Sequence, residues 1–224
     1  MQHPSTAALY AYWNRQRGAA PAPIRRDIAP DQISGLLGDM FILQADEDGA
    51  FPFRLAGTRL CAIFGRELTG QDFRSLWSGE ERRAMTASLQ SVREGTVIVH
   101  RLTGFNGRGQ TLTAEMILLP LSQDGLAIDR VLGLFAPVER PYWLGLHPLT
   151  RQTIVDTARI APSETKRPRR PVAPRAAKLP STPPATVPGT IPSPEGDRQA
   201  EPSGASEPDG SRRPRLVVFE GGRR

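Results

Sequence analysis

The chain has 224 residues, one cysteine, 22 prolines and 29 basic against 23 acidic residues, for a formal charge of +6. Split near residue 160, it divides in character: 13 of the 22 prolines fall in the last 64 residues, which carry 12 Lys+Arg against 7 Asp+Glu and leave 17 against 16 for the rest. One folded domain followed by a tail too poor in apolar residues to repay the entropy of ordering is the expectation, and a lone Cys61 excludes an intramolecular disulfide or a cysteine-based zinc site.

In chain order, Thr6 to Arg17 reads as a helix capped by Ser5 or Thr6, with Leu9, Tyr12 and Trp13 on one apolar side and Gly18 as its stop. A Pro-rich connector, Ala19 to Pro23, leads through Arg25-Arg26-Asp27-Ile28 to a short helix opened by Pro30-Asp31 and running through Ile33, Leu36 and Leu37. Met40 to Ala45 and Phe51 to Ala56 are β-rich runs either side of an acidic, glycine-containing turn, the pattern of an antiparallel hairpin. Short helical turns over Thr58 to Phe64 and Asp72 to Trp77 are punctuated by Gly57, Gly65 and Gly70. Gly79 to Glu94 is the clearest helix, acidic at its start, basic near its end, with Met85, Leu89 and Val92 on one face. Three β segments follow: Thr96 to Phe105, Gln110 to Leu121 and Ile128 to Val138. Pro141 to Leu144 is an apolar closing segment, and Leu149 to Ile160 reads as a weak helix.

Strands flanking a helical block imply an α+β fold: an antiparallel five-stranded sheet with short helices on one face and an N-terminal flanking helix. The expected division is residues 1–37 for the flanking helices and connector, 38–140 for the domain, 141–160 for the closing segment and 161–224 for a disordered tail.

Common chemistries drop out one by one. Both lysines, Lys166 and Lys178, lie in the tail, so residues 1–160 lack the phosphate-binding lysine of a P-loop. No H-E-x-x-H or G-x-S-x-G occurs, and Gly104 to Gly109 reads as a hairpin turn around Asn106-Gly107. The start lacks the charged and apolar regions of a signal peptide. The longest apolar run, Val131 to Val138, is far short of the roughly 20 residues that span a bilayer, so a cytoplasmic protein is expected.

The order of elements, with Phe53-Arg54-Leu55-Ala56-Gly57-Thr58 followed by Phe64-Gly65-Arg66-Glu67-Leu68-Thr69-Gly70-Gln71-Asp72-Phe73, resembles a PAS domain over roughly residues 38–140. Leu9-Tyr10-Ala11-Tyr12-Trp13-Asn14, Arg25-Arg26-Asp27-Ile28 and Leu55 to Cys61 further resemble the stand-alone PAS proteins of alphaproteobacteria, the MopJ-like group. The resemblance implies a bacterial, non-enzymatic regulator that senses a small ligand or relays state through protein contacts. Its implied partners are signalling proteins such as sensor histidine kinases, in two-component pathways, with a homodimer among the options.

Neither a haem nor a flavin signature is found, leaving any cofactor unknown. The light-sensing flavin type carries its cysteine in an Asn-Cys-Arg context, whereas Cys61 sits in Thr58 to Phe64 and reads as a small buried hydrophobe. No histidine lies in Glu80 to Glu94 to ligate haem. The candidate ligand pocket is Phe64, Trp77, Met85, Leu89 and His100, with plain core packing as the alternative for the first four. Alternation along its strand puts His100 either beside Ile98 and Leu102 or on the solvent side, where it would be structural or merely exposed. No nucleophile, base and orienting group can be assembled, so no catalytic or metal site is assigned. Tyr10, Tyr12 and Trp13 are candidate partner-binding aromatics; alternatively their helix covers its own sheet. In the tail, Lys166-Arg167-Pro168-Arg169-Arg170 reads as part of a solvated tether, with nucleic acid or an anionic membrane surface as the alternative target. Leu216 to Gly222 is a β-prone run that a sheet edge could capture.

Overall fold

Alternation along each strand sorts the apolar residues of this chain onto two faces of one sheet. The computed structural model describes residues 1–161, so the basic cluster at Lys166–Arg170, the run at Leu216–Gly222 and the rest of the expected tail lie outside the described residues. Six strands, β1 (Met40–Gln44), β2 (Phe53–Ala56), β3 (Val97–Asn106), β4 (Thr111–Leu121), β5 (Arg130–Pro137) and β6 (Leu149–Ile160), form a sheet of order β2-β1-β5-β4-β3-β6. Every neighbouring pair is antiparallel. Helices α1 (Pro4–Arg17), α2 (Thr58–Phe64) and α3 (Gly79–Arg93), with 3-10 segments at Arg25–Asp27, Pro30–Asp39 and Phe73–Leu76, complete it.

The α+β architecture follows the expectation, but the sheet has six strands where five were expected. The extra strand, β6, is the segment read as a weak helix. It is rich in β-branched Thr150, Thr153, Ile154, Val155 and Thr157, which lose side-chain freedom in a helix and pack well on a pleated surface. A bulge opposite Arg101 and Leu102 breaks its alternation, so no period of two survives in the sequence. What holds the segment extended is the open edge of β3, along which it pairs from Val97 to Asn106.

Phe41, Leu43, Ile98, Leu102, Met116, Leu118, Val131 and Phe135 form the inner face, against α2, α3 and the Phe73–Leu76 segment. In α3 the expected stripe holds: Met85, Leu89 and Val92 are fully buried in this layer. Trp143, from the connection between β5 and β6, joins the same cluster. Phe41 stands directly opposite Gly133 of β5, and its ring occupies the volume a side chain there would need: a Cβ on Gly133 would lie 2.1 Å from the ring. From Phe41 the aromatic contacts run to Phe53 and Phe73 at ring separations of 5.7 and 5.3 Å, and from Phe73 to Trp77 at 6.2 Å.

The outer face carries Met40, Ile42, Val97, Val99, Ile117, Leu119, Leu132 and Leu134. Helices do not lie on one face alone, because α1 covers this side with Leu9, Tyr12 and Trp13. Its N-cap is His3, whose Nδ1 accepts from the Ser5 amide at 3.1 Å, rather than Ser5 or Thr6. Thr6 is buried and turns to the sheet, where its hydroxyl donates to Glu115 of β4. The same carboxylate accepts from the Gln2 amide at 2.8 Å and the His3 amide at 3.1 Å. Burial pushes the Glu115 carboxyl up, but the hydrogen bonds from Thr6, Gln2 and His3 together hold it below the usual carboxylate range.

A second buried carboxylate, Asp39, joins three elements. Arg59 of α2 donates to it from Nε at 3.0 Å and Arg140, beyond β5, from a terminal nitrogen at 2.9 Å, while Arg59 also reaches the Gly35 carbonyl at 2.9 Å. Close by, Gly57 admits backbone where a side chain would not fit: a Cβ there would lie 2.2 Å from the Leu37 carbonyl oxygen.

Two stability predictions follow from these contacts. Gly133→Ala should cost about 1–3 kcal/mol by overpacking against Phe41, read by urea unfolding, with part of the loss restored when Phe41→Leu is added. Glu115→Ala should cost about 1–3 kcal/mol by leaving buried donors unpaired, with hydrogen exchange rising first in α1; unchanged protection there would refute the capping role.

Candidate functional site

The five side chains read as a ligand pocket come from four elements, and the fold brings them to one layer. Phe64 ends α2, Trp77 follows the Phe73–Leu76 segment, Met85 and Leu89 lie one helical turn apart on α3, and His100 is in β3. All are buried, and the four apolar ones belong to the inner-face cluster. Phe64 meets Phe135 edge-on at a ring separation of 6.0 Å.

His100 shares the inner side of β3 with Ile98 and Leu102, whereas Val97 and Val99 belong to the outer-face cluster. At 1 % exposure it is as buried as its apolar neighbours. Nδ1 lies 2.9 Å from the hydroxyl of Thr157, its cross-strand partner in β6. Nε2 has no partner. Either tautomer therefore leaves a need unmet: an Nε2–H donor if Nδ1 accepts from Thr157, an Nε2 acceptor if Nδ1 donates. Trp77 Nε1 is a second buried donor without a partner in the same layer, and Gln152 Oε1 on β6 is an acceptor in the same condition. Gln152 is anchored by its amide nitrogen, which donates to the Leu76 carbonyl at 3.1 Å beside Trp77. Among the described residues this layer thus holds Trp77 Nε1, His100 Nε2 and Gln152 Oε1 unpaired, each costing about 1–3 kcal/mol if left so.

Sequence reasoning missed Gln152 and Thr157, since both sit on the strand read as a helix. The β-branched residues between them were the available signal. Cys61 is half-buried on α2 with its sulfur 3.7 Å from a Glu67 carboxylate oxygen. Burial, with a smaller contribution from that acid, pushes the thiol pKa up, which disfavours the reactive thiolate.

Among the partner-binding candidates, the structure withdraws two. Trp13 is fully buried and donates from Nε1 to the Pro120 carbonyl at 2.6 Å. Tyr12 is 4 % exposed, and its hydroxyl accepts from the Ala29 amide at 2.7 Å, holding the connector to α1. Their large apolar area is spent on the outer sheet face, which would otherwise face water. Tyr10 stays partly exposed, 6.0 Å from the Trp13 ring.

Burial drives the His100 pKa down to about 4, with the positive charge of Arg159 acting in the same direction. Above pH 6.5 the imidazole is neutral folded and unfolded and contributes no pH dependence. Between 6.5 and about 4 the unfolded chain takes up a proton that the folded chain refuses, so stability falls by about 3 kcal/mol across that window. Urea unfolding from pH 8 to 4 should show this loss, and His100→Leu should flatten it; an unchanged slope in the variant would mean that His100 does not titrate this way.

Among the described residues no helix is long and apolar enough to cross a membrane, and no group of three or more His, Cys, Asp or Glu side chains is placed to hold a metal ion. A PAS domain family model matches residues 1–136, which takes in α1 as well as the sheet through β5. No curated protein matches the chain. Among solved structures, the dark form of the blue-light photoreceptor Aureochrome1 LOV is similar at 18 % identity and a TM-score of 0.39, covering 49 % of this chain and 82 % of that one. The Rhodobacter sphaeroides LOV protein aligns at 17 % identity and a TM-score of 0.38, over 51 % of this chain and 71 % of that one. The PAS domain of the HTR-like protein from Haloarcula marismortui aligns at 19 % and 0.34, over 48 % and 90 %. With more than half its length matched by the family model, this chain belongs to the PAS domain family.

Proposed function

We propose that this chain is a non-enzymatic PAS regulator whose interior, between the inner sheet face and α3, takes a small ligand and reports its presence through protein contacts. One observation carries the reading: Trp77 Nε1 and His100 Nε2 are buried, unpaired and housed in the layer formed by Phe64, Met85 and Leu89. A ligand with an apolar body and one or two polar atoms would satisfy them, which is the usual economy of small-molecule sites. The neutral imidazole suits a neutral or anionic polar group, since it can donate or accept without carrying a charge into the interior.

The route outward would be β6. Thr157 holds His100 and Gln152 holds the turn before Trp77, so both anchors are tied to the same edge strand. A ligand that reorients either side chain shifts hydrogen bonds along β6, whose exposed residues include Val155, Asp156 and Arg159. Sensor histidine kinases or their regulators are the partner class, and the cytoplasm the setting, that resemblance to the stand-alone alphaproteobacterial PAS proteins suggests.

Full-length protein purified from cells at moderate salt should show a stoichiometric small-molecule adduct by native mass spectrometry, or a chromophore by absorbance. His100→Leu and Trp77→Phe should each lower its occupancy at least about tenfold, the worth of one buried hydrogen bond. Protein that is uniformly empty, and stays empty when incubated with cell extract, would overturn the ligand reading and leave relay by contacts alone.

A further inference from the structure

The outer face of the sheet holds a separate concavity of about 330 Å³, on the opposite side from His100. Its floor is Met40 and Ile42 of β1, Leu55 of β2 and Leu132 of β5; Ile28 and Ile33 form the wall. Helix α1 packs on β4 and β5, leaving the β1–β2 end of this face to the connector and the Pro30–Asp39 segment, which arch over it. The volume falls within the range of small-ligand sites and the lining is almost wholly apolar. Leu55 of the floor and the neighbouring Leu37 are 40 % and 37 % exposed, so the cavity opens to solvent past apolar side chains.

Arg25 is the one charged residue of the lining. Its backbone amide is fixed to the Ser122 carbonyl at 2.7 Å, and the residue is half-buried. The neighbouring Arg26 lies 3.8 Å from Asp27, whereas the Arg25 guanidinium makes no ion pair or hydrogen bond among the described residues. Asp39 offers it none, being engaged by Arg59 and Arg140. An arginine in the lining of an apolar pocket, its guanidinium without an ion pair or hydrogen bond among the described residues, complements a molecule with an aliphatic body and one terminal carboxylate. A sugar or nucleobase would find almost no polar partners here, and a plain hydrocarbon would leave the cation unused.

We infer that this pocket is a binding site for an aliphatic monocarboxylate, seated with its chain on Ile42, Leu55 and Leu132 and its carboxylate at Arg25. The site stands independently of the interior ligand, since it shares no side chain with it. Filling it would brace the Pro30–Asp39 segment against β2, and that segment ends in the carboxylate held by α2 and by Arg140.

Calorimetric titration of the full chain at pH 7 with hexanoate, octanoate, decanoate and decanol tests this. Affinity should rise about fourfold per added methylene while the chain fills the pocket, and decanol should bind at least about tenfold more weakly than decanoate for want of the charge-assisted hydrogen bond. Arg25→Gln should erase the preference for decanoate over decanol. Leu55→Asp should abolish binding of both, with the circular dichroism of each variant unchanged. No binding of decanoate at millimolar concentration, affinity independent of chain length, or Arg25→Gln behaving as wild type would each overturn the site. So would a dimer of the wild-type chain that Leu55→Asp dissociates and decanoate does not, because a second copy would then be the occupant.

Discussion

The packing of Phe41 against Gly133 is the contact on which the arrangement of this domain depends. A phenyl ring standing over a glycine on the neighbouring strand can lie close to the sheet, and from there it meets Phe53 and Phe73 at ring separations below 6 Å. Phe73 in turn places Trp77 and so the start of α3. The helical layer therefore sits at a height set by one missing side chain. Close-packed interiors transmit such a constraint because neighbouring side chains have little free volume to absorb it.

Two buried carboxylates do for the periphery what the aromatic chain does for the interior. Glu115 gathers the amides of Gln2 and His3 and the Thr6 hydroxyl, which fastens the start of α1 to the middle of the sheet. Asp39 takes two arginines from elements far apart in sequence, Arg59 and Arg140. Both acids lose water on burial and are compensated by several donors each, the condition under which a buried charge is tolerated. The consequence is a sheet with unlike faces: the inner one closed by aromatic packing, with unpaired polar atoms inside, and the outer one covered by α1 over β4 and β5 but hollow beside β2.

The inner layer shows how far sequence reasoning reaches into a site. Met85 and Leu89 were legible from helical spacing, whereas alternation left His100 either beside Ile98 and Leu102 or on the solvent side, and only its burial decides for the interior. What those residues lack was not legible: an unpaired Nε2 is a property of everything packed around it. Thr157 supplies the Nδ1 partner from a strand whose bulge hides its period, so only its β-branched run pointed to a strand and the contact itself could not be read. The aromatics of α1 failed in the other direction. Tyr12 and Trp13 form a stripe equally suited to a partner and to the chain's own sheet, and only their burial decides between them.

The sequence by itself determined the kinds and order of the elements through β5, the turn at Asn106, the α3 stripe and the absence of a P-loop lysine from the first 160 residues, because these depend on local periodicity and composition. The tertiary structure decided that residues 149–160 form a strand, since the open edge on β3 gave a β-branched run without a clear period the partner it needed. It also decided which face α1 covers, which polar atoms remain unpaired and where the outer pocket lies. Each of these is fixed by contacts between residues distant in the chain, such as Thr6 with Glu115 and Arg140 with Asp39, whose energies exist only once the fold has brought them together.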